Sequence, residues 1–417
     1  MKTKIQRYSF PLWMITLLLF MAWGLVGAYQ VLTQGLVLTN LTDLTPWGLW
    51  IGIDLSSIAL AAGAFSLSAA VYLLKKDELK PVARTAVFIG LLGYTMAMMT
   101  LLMDIGRPDR FWHALVYWNI HSPLWEVTMC VALYFTVLTL EVIPILGRAD
   151  IVQRRWPRLG QGMEWVHVLA PILAVCGLLL SLMHQSSLGA TYGVLASRPF
   201  WYKSTLAILF LVSALAAGPA LTVFASKTAA AITPRAYVEN WRLDRVSHFI
   251  GWVLVALLYL RVWDTLSMVY THQPGRTEAL HMLTGGQFAF NFWVLEMFLG
   301  IIVPMVILLT AQLRERPALH WLALLFVVIG LVAYRWDTNM IGQLVVFSYL
   351  PEQIVPLFAS YTPALIEWQV GLGVIAFGFL GFSMGVRYLY VVDHRLVETT
   401  HETAPVRSGH LSAAEGR

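Results

Sequence analysis

Residues 11–32 read PLWMITLLLFMAWGLVGAYQVL, a run with no Lys, Arg, Asp or Glu. As a helix, a stretch of this length crosses a hydrocarbon core about 30 Å thick. Outward from it the same pattern recurs at Trp50–Leu74, Arg84–Met103, Pro123–Leu146, Glu164–Met183, Trp201–Ala225, Val246–Met268, Phe288–Ala311, Ala318–Tyr334 and Leu365–Tyr390. Membrane strands are shorter and alternate polar with apolar residues, whereas these runs are apolar on every face. The chain therefore reads as an all-α polytopic membrane protein of about ten transmembrane helices.

Composition agrees. Of 417 residues, 58% are hydrophobic and only 12% charged, and the mean hydropathy is +0.69. No water-soluble surface can be assembled from this mixture, so lipid is the solvent. The first run follows Lys2, Lys4 and Arg7, and Val26 and Ala28 give a faint cleavage-like pattern. Its apolar length exceeds the 7–15 residues of a signal core, so it is expected to remain as an anchor.

The net charge of +5 is a matter of topology rather than of nucleic-acid binding. If both termini share one side, that side takes 21 of the 28 Lys and Arg, from Lys75, Lys76 and Lys80 to Arg154, Arg155 and Arg158. Positive charge collects on the cytoplasmic side. The expectation is an inner-membrane protein of a bacterium, multi-pass, with both termini cytoplasmic and a polar cytoplasmic tail over 398–417. The rest, 1–397, forms the integral domain.

A faint duplication appears at an offset of four spans. Asp104 and Arg107 end the third run, while Arg261 and Asp264 take the same spacing in reversed order in the seventh. Glu126 and Glu296 sit at comparable depth in the fourth and eighth, and His167 and His320 open the fifth and ninth. Two four-helix units are expected, spans two to five (about 48–189) and six to nine (about 200–340), with flanking helices.

Ionisable groups within lipid cost several kcal/mol and need a partner, water or a function. Here they gather toward the outer side: Asp54, Asp104, Glu126, His184, Arg261, Asp264, Glu296, Arg335 and Asp337. The densest set is His121, Ser122, Trp125 and Glu126 with Asp104 and with His184, Gln185, Ser186 and Ser187. A carboxylate, an imidazole, amide and hydroxyl donors and aromatic walls match a quinone site, where two carbonyls take up two electrons and two protons. Most have a plainer reading: ion pairs for Asp104 with Arg107 and Arg261 with Asp264, an interfacial residue for His121 and a polar helix end for His184. Glu126 has no basic residue at helical spacing, and Glu126→Gln is expected to abolish quinone-linked activity. Glu141, Arg261, Asp264 and Glu296 are candidates for a proton path.

Cys130 and Cys176 both fall inside spans and read as core hydrophobes. There is no CxxC or CxxCH and no HExxH, so no iron–sulfur cluster, haem or metal is expected in this chain.

The segments WGLWIGIDLSSIALAAGAF, MDIGRPDRFW, NIHSPLWEVTMCVALY and LMHQSSLGA together resemble the NrfD/polysulphide-reductase membrane-subunit family, in its HybB-like ten-helix branch. The resemblance covers nearly the whole chain and is strongest over about 47–189. It implies a cofactor-free subunit of an oxidoreductase complex that exchanges electrons between menaquinone or ubiquinone and a periplasmic four-cluster ferredoxin-like iron–sulfur subunit. That partner in turn serves a hydrogenase, a molybdenum-type enzyme or a multihaem cytochrome. It also implicates Asp104, His121, Glu126 and His184, with Gln185 and Ser186, at the quinone; Asp54 and Trp125 join them from the residue reading. The competing class is a secondary transporter or proton-coupled carrier, whose substrate site belongs near the midplane. A third reading is an anchor with an inactive site.

Overall fold

The computed structural model describes residues 2–349 and 354–395; the 398–417 tail lies outside them. Among the described residues, ten helices are long and apolar enough to span: Ser9–Gln34, Leu49–Tyr72, Asp77–Asp104, Pro123–Gly147, Pro157–Gly193, Thr205–Ile232, Asn240–Thr271, Asn291–Leu309, Pro317–Leu344 and Leu365–Tyr388. Each contains most of an apolar run read above, because only a continuous helix satisfies every backbone N–H and C=O without water. They are numbered here as the first to the tenth span.

Both ends of the described chain lie at one end of the bundle. The Arg387 guanidinium stacks 4.1 Å from the Phe10 ring centroid, and Tyr390 donates to Asp150 Oδ2 at 3.0 Å. The first span packs along the tenth and otherwise turns outward, with Leu12, Leu19 and Leu25 exposed. The sixth packs against the second, third, fifth, seventh and ninth, and so joins the two sets of four helices.

Lipid tails are as apolar as leucine, so close backbone packing must hold such helices together. The second span is broken into Leu49–Leu60 and Gly63–Tyr72, and at the break it meets the sixth. A Cβ on Gly63 would stand 2.7 Å from Gly218 O, and one on Gly218 would strike the Gly63 amide. Gly300 and Gly330 bring the eighth and ninth spans equally close.

Three features depart from the sequence reading. Most of the eighth span, Asn291–Ile302, is a π-helix. The ninth continues beyond Tyr334 to Leu344, so Arg335, Asp337, Asn339 and Gln343 are buried in its last turns rather than placed in a loop. It is followed by a short antiparallel hairpin, β1 (Val345–Tyr349) with β2 (Ile354–Phe358). Polar residues can extend an apolar helix here because protein groups receive them. Arg335 Nη2 donates to Phe210 O at 2.8 Å and Ser213 Oγ at 3.1 Å, with its guanidinium 3.6 Å from the Phe210 ring centroid. Cys130 is buried, but Cys176 is exposed, contrary to the core assignment; a thiol is apolar enough to face lipid.

The candidates of the second set form one buried ion network. Arg261 donates to Glu296 Oε1 at 2.5 Å and Asp264 Oδ2 at 3.2 Å, while Lys203 Nζ reaches Asp264 Oδ2 at 2.7 Å and Thr205 donates to Asp264 Oδ1 at 2.8 Å. Two cations thus face two carboxylates across the sixth, seventh and eighth spans and the loop before them. Breaking such a pair leaves an uncompensated buried charge.

Two outcomes follow for the purified, detergent-solubilised protein. Arg261→Met should cost about 3–5 kcal/mol, read as a lower thermal-unfolding midpoint; an unchanged midpoint would show that the network holds nothing. Gly218→Val should cost about 1–3 kcal/mol through overpacking against the second span, whereas the same change at Gly162, which has open space around it, should escape that penalty.

Candidate functional site

Away from the chain termini, the ends of the second to fifth spans part to form a crevice of about 750 Å³. The geometry begins with the loop after the first span. Leu36, Val37, Leu41, Thr42, Asp43, Pro46 and Trp47 roof the cavity. The roof is tied to the ninth span: Trp47 O accepts from Gln343 Nε2 at 2.7 Å and Asn339 Nδ2 at 3.0 Å, and Trp47 N donates to Gln343 Oε1 at 2.8 Å. Arg198 Nη1 holds Leu44 O at 2.8 Å.

Below the roof, the second span presents Ile51, Asp54, Leu55 and Ile58, and the third presents Leu101, Asp104 and Ile105. The fourth contributes Leu124, Val127, Thr128 and Val131, a helical stripe. Leu188, Thr191 and Tyr192 close the wall from the fifth. The cavity is thus mostly apolar, with the Asp54 and Asp104 carboxylates as its inner acids. Asp54 lies within electrostatic range of Asp104 and of Tyr94. Asp104 Oδ1 is buried without a hydrogen-bond partner among the described residues.

Arg107 does not pair with Asp104. It grips Asp109 instead, with Nε and Nη2 each at 3.1 Å from the carboxylate, and holds that carboxyl below its usual range by hydrogen bonding and charge. The reason is local: the third span ends at Asp104, and a turn through Gly106 at φ 68° redirects the chain.

His184 is fully buried one turn deeper than Leu188, on the same side of the fifth span. Its Nδ1 lies 2.7 Å from Tyr94 OH, and the Tyr94 ring stands 4.8 Å from that of Tyr134. His184 Nε2 has no hydrogen-bond partner among the described residues. Gln185 turns the other way and donates to Ile58 O at 3.0 Å, fixing the fifth span against the second.

Glu126 is not brought to this group. It is half-buried and lies off the stripe formed by Leu124, Val127, Thr128 and Val131, toward the side that carries Cys130. Ser122 caps the fourth span, accepting from Trp125 N at 3.4 Å. Trp125 is held outside the cavity by Ala114 O at 2.9 Å and stacks on Trp118. His121 is exposed, and Ser186 is half-buried outside the lining. Glu141 lies near the opposite end of the same helices, in a small pocket with Ser68, Lys80, Arg84, Arg148 and His167.

Sequence reasoning missed Tyr94, Tyr192, Asp43 and the roof. Tyr192 falls eight residues after His184, a helical repeat that shares its face, and its ring packs edge-on against Trp47 at 5.3 Å and Trp201 at 4.5 Å. Tyr94 is a single hydroxyl within an apolar run, which carries no signal until the fifth span is placed beside it.

A family described as polysulphide reductase, NrfD, matches residues 37–347. The integral membrane subunit of menaquinone reductase from Nitratidesulfovibrio vulgaris is 34% identical, covering 91% of each chain. The Hdr-like menaquinol oxidoreductase integral membrane subunit of Archaeoglobus fulgidus is 24% identical over 96% of this chain and 98% of its own. The probable Ni/Fe-hydrogenase 2 b-type cytochrome subunit of Escherichia coli is 25% identical over 85% of this chain and 86% of its own. The match takes in the roof, both acids and the imidazole, and carries on through the ion network to β1: the chain belongs to the NrfD polysulphide-reductase family of integral membrane subunits.

Proposed function

We propose that this chain is the quinone-reactive membrane subunit of a respiratory redox complex and that the roofed crevice takes the head of menaquinone or ubiquinone. The observation that carries the reading is the pairing of an apolar cavity of about 750 Å³ with two inner carboxylates and a buried Tyr94–His184 pair beneath it. A flat ring fits between Ile51, Leu55, Val127 and Leu188, and Asp104 and Asp54 meet its oxygens from the second and third spans. Reduction of a quinone adds two electrons and two protons at its two carbonyl oxygens; oxidation reverses this. The chain supplies the protons and the binding, and a docked partner supplies or accepts the electrons.

The crevice end then faces the periplasm and both termini the cytoplasm of a bacterial inner membrane, a reading supported by the bias of Lys and Arg toward the terminal side. The partner is then a periplasmic four-cluster ferredoxin-like iron–sulfur subunit, backed by a hydrogenase, molybdenum-type or multihaem enzyme. The segment beside the mouth supports docking there, since Phe111, Val116, Tyr117, Trp118 and Ile120 are exposed with Arg110 among them. A b-type haem, named for the Escherichia coli relative, needs two facing axial histidines. His184 and His320 do not fit this: they lie at opposite ends of the bundle, His184 bound to Tyr94 and His320 to Lys227 and Ser247.

Protons enter from the terminal side. Glu141 and His167 form the inner mouth, buried Ser181 and Tyr134 lie between the ends, and Tyr94 with His184 completes the series. His184, one turn below Leu188 of the cavity wall, gives or receives the proton there, and Tyr94 restores its tautomer. Turnover with protons drawn from the cytoplasm is electrogenic. Arg261, Asp264 and Glu296, locked to one another and to Lys203, hold the bundle rather than conduct. A transporter needs its substrate site near the midplane, and the cavity at one end favours redox chemistry instead.

The test uses the native complex, purified with its redox partners. Asp104→Asn and His184→Gln should each lower quinone-linked turnover by about 10²-fold or more, with the assembly of the complex unchanged. Glu126→Gln should stay near the wild-type rate. Full activity in both of the first two variants, or its loss in the third, would overturn this assignment of the site.

A further inference from the structure

The roof of the crevice has little packing of its own, since Thr42, Asp43, Leu44 and Pro46 are exposed. Hydrogen bonds set its position, and they come from two sides. The ninth span grips Trp47. The tenth span holds the earlier part of the loop through one side chain, Glu367, which is fully buried. Glu367 Oε1 accepts from Asn40 N at 3.1 Å, between the lining residues Val37 and Leu41. Its Oε2 accepts from the Tyr361 hydroxyl, and that hydroxyl in turn accepts from Leu49 N at 2.8 Å.

Leu49 opens the second span, and the N-cap, Gly48, has no side chain to offer it. The first amides of a helix have no partner within it, so the Tyr361 hydroxyl does the work of a capping side chain. Gly48 leaves the space for this, because a Cβ there would strike the Tyr361 oxygen. Trp50 Nε1 adds a bond to Glu367 O at 3.0 Å, and one turn beyond Trp50 stands Asp54. A plainer role for Glu367 is the common one at the third position of a helix, reaching back to the N-cap amide, and its Oε1 does accept from Ala364 N at 3.1 Å. That role calls for neither burial nor bonds to Asn40 and Tyr361. A carboxylate buried at a span end is costly, and here the return is a junction of the tenth span, the roof and the second span.

We propose that Glu367 is a positioning residue for quinone binding: from the tenth span it fixes the roof at Asn40 and, through Tyr361, the start of the second span that carries Asp54. It is not among the residues lining the cavity, so it acts through those it holds. The inference rests on the reading of the crevice as the quinone site. With the grip in place the ring meets a preformed slot; without it, each binding event must first order the roof, and the affinity falls by the cost of that ordering. Asp104 and His184 keep their places on the third and fifth spans, so the rate at saturation is kept.

The experiment measures hydrogen–deuterium exchange and steady-state kinetics with a short-chain quinone on the native complex, purified with its redox partners. Exchange reads the grip directly, because the Asn40 and Leu49 amides are themselves the donors. Glu367→Ala should speed exchange over 36–50 and raise KM about tenfold, with kcat within about twofold of the wild type. Glu367→Gln keeps an acceptor for Asn40 and Ala364 and should recover most of both. Tyr361→Phe removes a single oxygen, so it serves even where Glu367→Ala fails to assemble; it should speed exchange at Leu49 and raise KM about threefold. Exchange unchanged in these variants overturns the proposal and leaves the quinone site standing. So does a loosened roof with KM unchanged, or a loss confined to kcat, wherever Asp104→Asn is inactive. If Asp104→Asn is fully active as well, the crevice reading fails and the proposal falls with it.

Discussion

Lipid offers no hydrogen bonds, and this one fact orders the whole molecule. Each backbone group must be satisfied within its own helix, and each charged side chain below the surface must find its partner in protein. Arg335 shows how far protein meets this demand, since its Nη2 is satisfied while Nε and Nη1 are buried without a partner among the described residues. Its head lies against the Phe210 ring, with that residue's carbonyl and Ser213 as acceptors. The polar last turns of the ninth span are drawn inward for the same reason, and there Asn339 and Gln343 grip the Trp47 backbone. That grip places the roof over the crevice, so a site in one set of helices is shaped by side chains of the other.

The fold was legible because span recognition depends only on length and on missing charge, both local properties of the sequence. All ten helices came from this, and the shared end of the termini came from their even number. The break in the second span was not legible, since it depends on Gly63 meeting Gly218, and residues so distant in sequence carry no mark of their contact. Nor was the π-helix, whose residues NFWVLEMFLGII read as an ordinary apolar run.

The site was legible as a set of depths and not as a set of directions. Asp54, Asp104, His184 and Glu126 all read as lying toward the outer side, but depth does not fix which side of a helix a group occupies. The fourth span turns Leu124, Val127, Thr128 and Val131 to the cavity, and at 100° per residue Glu126 must fall elsewhere. The absence of a basic neighbour made Glu126 conspicuous in sequence, yet half-burial at a helix start leaves it other ways to be solvated. Conversely, the Tyr94–His184 bond joins residues ninety positions apart, and only the folded bundle, which brings side chains of the third and fifth spans within reach, reveals it.

The two sets of helices place acids at similar depth and use them differently because of where the cations go. In the second set, Lys203 and Arg261 face Asp264 and Glu296 directly, so the acids are matched and the space between the helices closes. In the first, the turn at Gly106 carries Arg107 away to Asp109 on the surface. Asp104 and Asp54 are left with no cation among the residues lining their cavity. Carboxylates bound to guanidinium and ammonium groups are committed to those partners, whereas carboxylates beside an apolar cavity with no cation in its lining remain open to a ligand. One turn of backbone after the third span therefore helps to separate a set of helices whose acids are matched by cations from one whose acids line an open cavity.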